Sequence, residues 1–249
     1  MAEDWDVYFC LIDDHPASAF VDLGIHWDAP QVQRPWLLRI AVTLREPGQD
    51  GLGVPEEVDT LYEVEDELFR CVAEGLIARY VGRTTSQGRR EFYFYAKSAE
   101  RLDAQIGVVQ RKFPAYSIAA TSQHDPGWNF YFDTLYPSDL DLQGIETRRA
   151  IDRLGQQGDD LNQPREVVHI LLFPTADART KCVRQVESEG FRCEEFSPPE
   201  DEEDVNRYGL RLTRRDPVTL EFIDGLVVDL FLRAENCGGE YDGWETSLA

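Results

Sequence analysis

The stretch Arg165-Glu166-Val167-Val168-His169-Ile170-Leu171-Leu172-Phe173 decides the fold of the second half of the chain. Its apolar, β-branched run, followed directly by Pro174-Thr175, predicts a buried strand and then a helix. Further elements alternate after it: a helix to 188, strands at 190–197 and 206–215, a helix at 216–236 and a strand at 240–245. This βαββαβ order predicts a ferredoxin-like sandwich, with two helices on one face of a four-stranded antiparallel sheet.

The first half of the chain has a different order of elements. Three short apolar runs predict strands, and two repetitions of helix, strand and strand follow them. The predicted segments are strands at 5–12, 19–25 and 36–44; a helix from Pro55 with an apolar stripe at Leu61, Val64, Leu68, Val72 and Leu76; strands at 77–83 and 90–96; a helix at 98–112; and strands at 116–121 and 128–135. We therefore predict a two-domain α+β protein: residues 1–137 as βββ-αββ-αββ, and residues 138–249 as a helix followed by βαββαβ.

The sequence is strongly acidic, with 47 Asp and Glu residues against 25 Lys and Arg residues and a formal net charge of −22. Both halves share this bias, with 22 acidic and 12 basic residues before Ser138 and 25 and 13 from Ser138 onward. Phosphate binding needs a basic face, so direct binding of nucleic acid is not expected. A basic protein partner fits the charge because complementary potentials speed and select encounters. Solubility alone explains the acidity equally well.

Other features of the composition concern location and cofactors. No segment has the roughly 18 consecutive apolar residues of a membrane span. The first residues are acidic, whereas a secretory signal begins with basic ones. The five cysteines are scattered and form no Cys-x-x-Cys pair, which predicts reduced thiols rather than disulfides or a zinc site. We expect a cytoplasmic protein with no cofactor and no metal.

Few residues suggest catalysis. Asp13, Asp14 and His15 follow the first strand, where two carboxylates and an imidazole would suit a metal or acid–base chemistry. The same residues are also ordinary turn formers, and this is the interpretation we favour. His169 is interpreted as a hydrogen-bonded residue of the sheet, and Arg211, Arg214 and Arg215 as partners in local ion pairs rather than phosphate ligands.

Two segments are candidates for contact with a partner. Five consecutive acidic residues lie in the loop between two predicted strands: Glu200, Asp201, Glu202, Glu203 and Asp204. They form either a solvated loop or a docking element for a basic partner. Near the carboxyl end, Tyr241, Asp242 and Trp244 lie in the last strand, and aromatic side chains there either complete the core or anchor a partner. Strand alternation predicts Tyr241 on one face of the sheet, with Asp242 and Trp244 on the other.

The run Tyr241-Asp242-Gly243-Trp244, after a helix and Gly-Gly in a βαββαβ domain, resembles the regulator of ribonuclease E activity B family. A preceding helix and Gly158-Asp159-Asp160-Leu161 extend the resemblance over about residues 145–247. The first half resembles a bacterial family of unknown function, through Trp5-Asp6-Val7-Tyr8, Asp13-Asp14-His15-Pro16-Ala17-Ser18, Gly82-Arg83 with Gly88-Arg89-Arg90-Glu91-Phe92, and Trp128-Asn129-Phe130-Tyr131-Phe132. The first resemblance implies inhibition of a ribonuclease by protein contact, whereas the second implies a fold and no activity.

Two functional hypotheses follow from these observations. The favoured one is a non-enzymatic, acidic protein-binding regulator that inhibits a ribonuclease or another basic RNA-processing protein. The alternative is a hydrolase or metal-dependent enzyme that uses the Asp13-Asp14-His15 strand end. The two are separated by whether these three side chains converge in a cleft or diverge in a turn.

Overall fold

The structure, a computed structural model, describes residues 3–197 and 208–248 of the chain. The chain divides into two compact units, Met1–Asp141 and Leu142–Ala249. Each unit contains one antiparallel sheet and its own helices, so the predicted α+β class is confirmed. The predicted domain boundary, at Ser138, lies next to the first residue of the helix that spans this division.

The first unit is built on a six-stranded sheet in the order β1-β2-β4-β5-β3-β6, in which all neighbouring strands are antiparallel. Its strands are β1 (Trp5–Ile12), β2 (His15–Asp22), β3 (Trp36–Thr43), β4 (Arg79–Ser86), β5 (Arg89–Ala96) and β6 (Ser117–His124). Its helices are α1 (Pro55–Leu68) and α2 (Leu102–Lys112), with a 3-10 helix at Leu23–Trp27 and π-helical turns at Phe69–Glu74 and Tyr131–Leu135.

The core of the first unit lies between the sheet and helix α1. Apolar residues of β3 and β5 pack against the predicted stripe of α1, of which Leu61, Val64 and Leu68 are fully buried. The three- and four-residue spacing places these side chains on one face of the helix. The prediction of an amphipathic helix that starts at Pro55 is therefore confirmed.

Two β-hairpins of the first unit have two-residue turns. Asp13 and Asp14 have φ of 51° and 62°, and Gln87 and Gly88 have φ of 50° and 71°. Positive φ at both central residues matches the right-handed twist of the flanking strands, and Asp and Gly tolerate it well. The second turn is shorter than the predicted one, so β4 continues to Ser86.

The predicted strand at 128–135 is wrong, because this segment is helical and a single strand, β6, follows α2. Trp128, Tyr131 and Leu135 are fully buried, and their spacing is that of a helix face. The Asp125 carboxylate accepts two N–H groups of the first turn, at 2.9 and 3.1 Å. This capping starts a helix where the alternation of aromatic residues suggested a strand.

The second predicted strand is displaced as well. β2 begins at His15 and ends at Asp22, earlier than the predicted 19–25. The Asp22 carboxylate accepts the N–H of Gly24 at 3.1 Å and starts the 3-10 helix. A local side-chain cap therefore overrides the apolar run that follows it.

The second unit carries a four-stranded antiparallel sheet in the order β10-β7-β9-β8. Its elements are α3 (Asp139–Gln156), which begins three residues before the unit, then β7 (Arg165–Phe173), α4 (Ala176–Val186), β8 (Arg192–Phe196), β9 (Tyr208–Asp216), α5 (Leu220–Asn236) and β10 (Glu240–Thr246). Helix α4 packs on β7 and β9, helix α5 packs on β7 and β10, and the two helices contact each other. The predicted βαββαβ order, with two helices on one face of the sheet, is confirmed.

Alternate residues of β7 form the centre of the second core. Val167, His169 and Leu171 are fully buried and pair with β9, opposite Arg214, Leu212 and Leu210. Apolar residues of α5 complete this core: Ile223, Val227 and Leu230. A titratable histidine therefore lies between apolar residues of the second core, with Arg214 nearby on β9.

Candidate partner-binding site

The last strand, β10, carries the aromatic residues that the sequence analysis selected. Tyr241 is buried, and its hydroxyl oxygen lies 2.7 Å from Nδ1 of His169. Burial lowers the pKa of His169 to about 4 and raises the pKa of Tyr241, so both groups are neutral near pH 7. The interpretation of His169 as a hydrogen-bonded residue of the sheet is confirmed, and Tyr241 belongs to the core.

A bulge interrupts β10 after Tyr241. Tyr241 pairs with Leu171 and Trp244 pairs with His169, with a register shift between Tyr241 and Gly243. Gly243 has φ of 133°, a conformation that glycine adopts without strain. Because the two β7 partners are two residues apart on one face, Tyr241 and Trp244 also fall on one face. The predicted placement of these two residues on opposite faces is therefore wrong.

The bulge lies beside the part of α3 that belongs to the second unit. The indole Nε1 of Trp244 donates to Thr147 Oγ1 at 3.1 Å, and Gln143 Nε2 donates to the Tyr241 carbonyl at 3.4 Å. A groove of about 310 Å³ opens between α3 and β10. We call it the α3–β10 groove.

The α3–β10 groove combines an aromatic ring with an excess of carboxylates. Three acidic residues line it, Glu146, Asp242 and Glu245, against one basic residue, Arg153. All four are exposed, and the ring of Trp244 is half-buried among them. An aromatic surface bordered by carboxylates suits the aliphatic stem and the charge of a basic side chain.

No pattern in the sequence indicates the α3 residues of this groove. Thr147 and Trp244 are 97 residues apart in sequence, so no local motif joins them. The amphipathic pattern of the predicted helix was the available signal, but it did not indicate the strand that the helix meets.

The acidic loop Glu200–Asp204 lies outside the described residues, and its role in binding stays a prediction.

The arginines of β9 make local contacts. Arg214 pairs with Asp216 at 2.9 Å, and Arg215 donates to the Pro164 carbonyl at 2.7 Å. Arg211 lies 3.9 Å from Glu194 and stacks over the ring of Phe196. The prediction of local ion pairs is confirmed for Arg211 and Arg214, whereas Arg215 bonds a carbonyl.

The residues of the alternative enzymatic hypothesis lie at the tip of the first hairpin. Asp13 and Asp14 form the turn itself, and His15 pairs with Ile12 at its base. All three side chains of the Asp13-Asp14-His15 segment are exposed. They form the tip of the hairpin, as their interpretation as turn formers predicts.

Two features are absent from residues 3–197 and 208–248. No group of three or more His, Cys, Asp or Glu side chains within these ranges is arranged to hold a metal ion. None of the helices in this part of the chain has the length and apolarity needed to cross a membrane.

The fold and the groove define a class: a two-unit α+β protein whose second unit is a βαββαβ sheet with an acidic groove along its last strand. The sequence model of the family of unknown function DUF695 matches residues 3–136, and the chain belongs to that family. The model of the regulator of ribonuclease activity B matches residues 144–246. Both predicted resemblances are confirmed, in the predicted order.

Comparison with individual proteins adds little to these family matches. No curated protein matches the chain. Among solved structures, the chain is similar to an unknown protein from Galdieria sulphuraria, with 8% identity, 86% of this chain and 99% of that chain covered, and a TM-score of 0.22. It is also similar to a putative glycine cleavage system transcriptional repressor, with 9% identity, 85% and 98% covered, and a TM-score of 0.21. TM-scores this low support no conclusion about fold or function.

Proposed function

We propose that this chain is a non-enzymatic, acidic protein-binding regulator, and that its partner is a ribonuclease or another basic RNA-processing protein. The observation that carries the proposal is the match of residues 144–246 to the regulator of ribonuclease activity B. That family is one of regulators and not of known enzymes, which agrees with the turn geometry of Asp13, Asp14 and His15.

The α3–β10 groove is the contact surface that we propose. Asp242 and Glu245 supply exposed carboxylates, and Trp244 supplies an apolar ring held in place by its bond to Thr147. Charged groups at such a rim select the partner and speed its approach, while a fixed aromatic ring contributes affinity. Tyr241 lies in the core, and its carbonyl accepts a hydrogen bond from Gln143 of the groove at 3.4 Å. The segment Glu200–Asp204 is proposed as a second acidic contact.

The net charge of −22 favours a protein partner over RNA itself. A surface of this sign repels phosphates and attracts a basic protein surface. Inhibition would then act through the ribonuclease, by covering or distorting its RNA-binding surface, without chemistry on this chain.

Binding to purified ribonuclease E tests the proposal. We expect the full chain to bind and to slow RNA cleavage, with an association rate that falls as salt rises. The chain alone should leave the RNA intact. Absence of binding at low salt to ribonuclease E and to other basic RNA-processing proteins would refute the proposed function.

Paired variants separate the groove from general acidity. Asp242→Asn with Glu245→Gln removes two charges from the groove, and Glu187→Gln with Glu235→Gln removes two exposed charges elsewhere in the same unit. We expect the groove pair to weaken binding about tenfold and the control pair to change it less than twofold. Equal losses in the two pairs would show that the groove is not the contact surface.

A further inference from the structure

A second groove lies in the first unit and shares no lining residue with the α3–β10 groove. It has a volume of about 530 Å³ and opens between the end of α1 with its π-helical turn and the strands β1, β2 and β4. Four aromatic residues line it: Trp5, Phe20, Phe69 and Tyr80. We call it the first-unit groove.

The aromatic floor of this groove is ordered by ring contacts. Trp5 stacks on Phe20, with centroids 4.9 Å apart and planes 18° apart, and lies 5.3 Å from Tyr80. Phe69 forms the opposite wall and is 46% exposed. Phe69 is the first residue of the π-helical turn, a helix type that is rare and frequent at functional sites.

Charged residues at the rim are mostly acidic. The carboxylates of Glu3, Asp66 and Glu74 line the groove, and Asp66 and Glu74 are exposed on the same wall as Phe69. The guanidinium of Arg79 also lines it, but its Nη2 donates to Asp22 at 2.6 Å and its Nη1 lies 4.0 Å from Glu3, which leaves Asp66 and Glu74 as the carboxylates not paired with it. Arg34 is the other basic residue of the lining, so carboxylates outnumber the remaining cation.

An arginine of the chain itself makes the kind of contact that this combination of groups offers. Arg83 lies over the ring of Phe20 at 4.5 Å and pairs with Glu65 at 2.5 Å, while Trp5 stacks on Phe20 in the groove. At the border of the groove, the guanidinium of Arg83 thus lies between the ring of Phe20 and the carboxylate of Glu65. Arginine suits such a site better than lysine, because its planar group stacks on rings and binds carboxylates through two N–H groups.

We propose that the first-unit groove binds an arginine side chain of a basic protein segment, with its guanidinium on Phe69 and its charge facing Asp66 and Glu74. This inference goes beyond the proposed function, since it gives the first unit a binding site of its own. It depends on no residue of the second unit.

Titration of the full chain with short peptides tests the inference. The probes are acetyl-Gly-Arg-Gly-Arg-Gly-amide and its lysine and glutamate counterparts, followed by calorimetry and by backbone and indole NMR shifts. We expect the arginine peptide to bind more tightly than the lysine peptide and to shift the Trp5 indole and the amides of residues 66–74. Tighter binding of the glutamate peptide would overturn the proposal in favour of a site organised by Arg34 and Arg79.

Matched variants exclude non-specific attraction to the acidic surface. Phe69→Ala removes the exposed ring, with Trp27→Ala as control because Trp27 is exposed outside the groove. We expect Phe69→Ala to weaken binding of the arginine peptide about tenfold and the control to leave it unchanged. Equal effects of these two variants would overturn the proposal.

Two carboxylates, one on α1 and one on the π-helical turn that follows it, allow a second comparison. Asp66→Asn with Glu74→Gln should weaken binding, whereas Asp59→Asn with Glu63→Gln removes the same charge from exposed positions of α1 outside the groove. Circular dichroism verifies that each variant is folded. Equal weakening by both pairs would show that binding is non-specific. The double variant of the α3–β10 groove, Asp242→Asn with Glu245→Gln, should leave the NMR shifts caused by the peptide unchanged. The result is therefore independent of the ribonuclease experiment.

Discussion

At the hydrogen bond between His169 and Tyr241, a titratable ring lies inside the apolar core of the second unit. Burial and, secondarily, the charge of Arg214 lower the pKa of His169 from its ordinary 6.5 to about 4. The described residues offer its Nε2 no hydrogen-bond partner, so a proton there would be unsatisfied. In the unfolded chain the ring takes up a proton at its ordinary pKa. Above pH 6.5 the ring is neutral in both states, so it does not reduce the stability of the native state. Between pH 6.5 and pH 4 only the unfolded chain takes up the proton, so the free energy of unfolding falls as the pH falls through this range.

Replacement of this ring by a neutral amide removes the titration. We expect the free energy of unfolding of the native protein to fall with pH below 6.5 by up to about 1.4 kcal/mol per unit more than that of His169→Gln. Urea unfolding at pH 7, 6, 5 and 4.5 measures the two slopes. His15→Gln, at the exposed hairpin tip, should behave as the native protein does. Parallel slopes for the native protein and His169→Gln would contradict the assignment.

Among the elements, the helical segment after β6 depends on a single carboxylate. Asp125 caps its first turn and also accepts the hydroxyl of buried Tyr95 at 2.6 Å. We expect Asp125→Ala to lower the free energy of unfolding of the first unit by about 2 to 4 kcal/mol, since it removes a cap and leaves a buried hydroxyl unpaired. Asp133→Ala, at an exposed position of the same segment, should cost less than about 0.5 kcal/mol. Similar losses in the two variants, measured by chemical denaturation, would disprove the capping role.

The same segment shows how far the sequence could predict the elements. Helix α1 and the order of the second unit followed from periodicity, because each long apolar pattern agrees with one period only. The segment at 128–135 carries both periods, and the deciding group, Asp125, lies just before it. The α3–β10 groove could not be predicted, because it depends on the contact of Thr147 with Trp244 and on the bulge at Gly243. The contact arises from tertiary packing, and the bulge arises from one backbone conformation. Local sequence patterns predict neither feature.

For the whole molecule, the net charge of −22 is distributed over both units. Like charges on one folded chain repel each other, and dissolved ions screen this repulsion. We expect the melting temperature to rise when NaCl increases from about 10 mM to about 150 mM, as the Debye length shortens from about 30 Å to about 8 Å. Scanning calorimetry at constant pH measures the change. A melting temperature that falls with salt would show that exposed ion pairs, such as Arg192 with Glu166 at 3.4 Å, outweigh the repulsion.

The bulge in β10 has a consequence for solubility as well. β10 is an edge strand of its sheet, and an open edge is a template on which other chains anneal and aggregate. The extra residue of the bulge twists the edge, and Gln143 donates a hydrogen bond to the Tyr241 carbonyl. The exposed carboxylates of Glu240, Asp242 and Glu245 repel an identical strand. The carboxylates that would attract a basic partner thus keep two copies of this chain from pairing through β10.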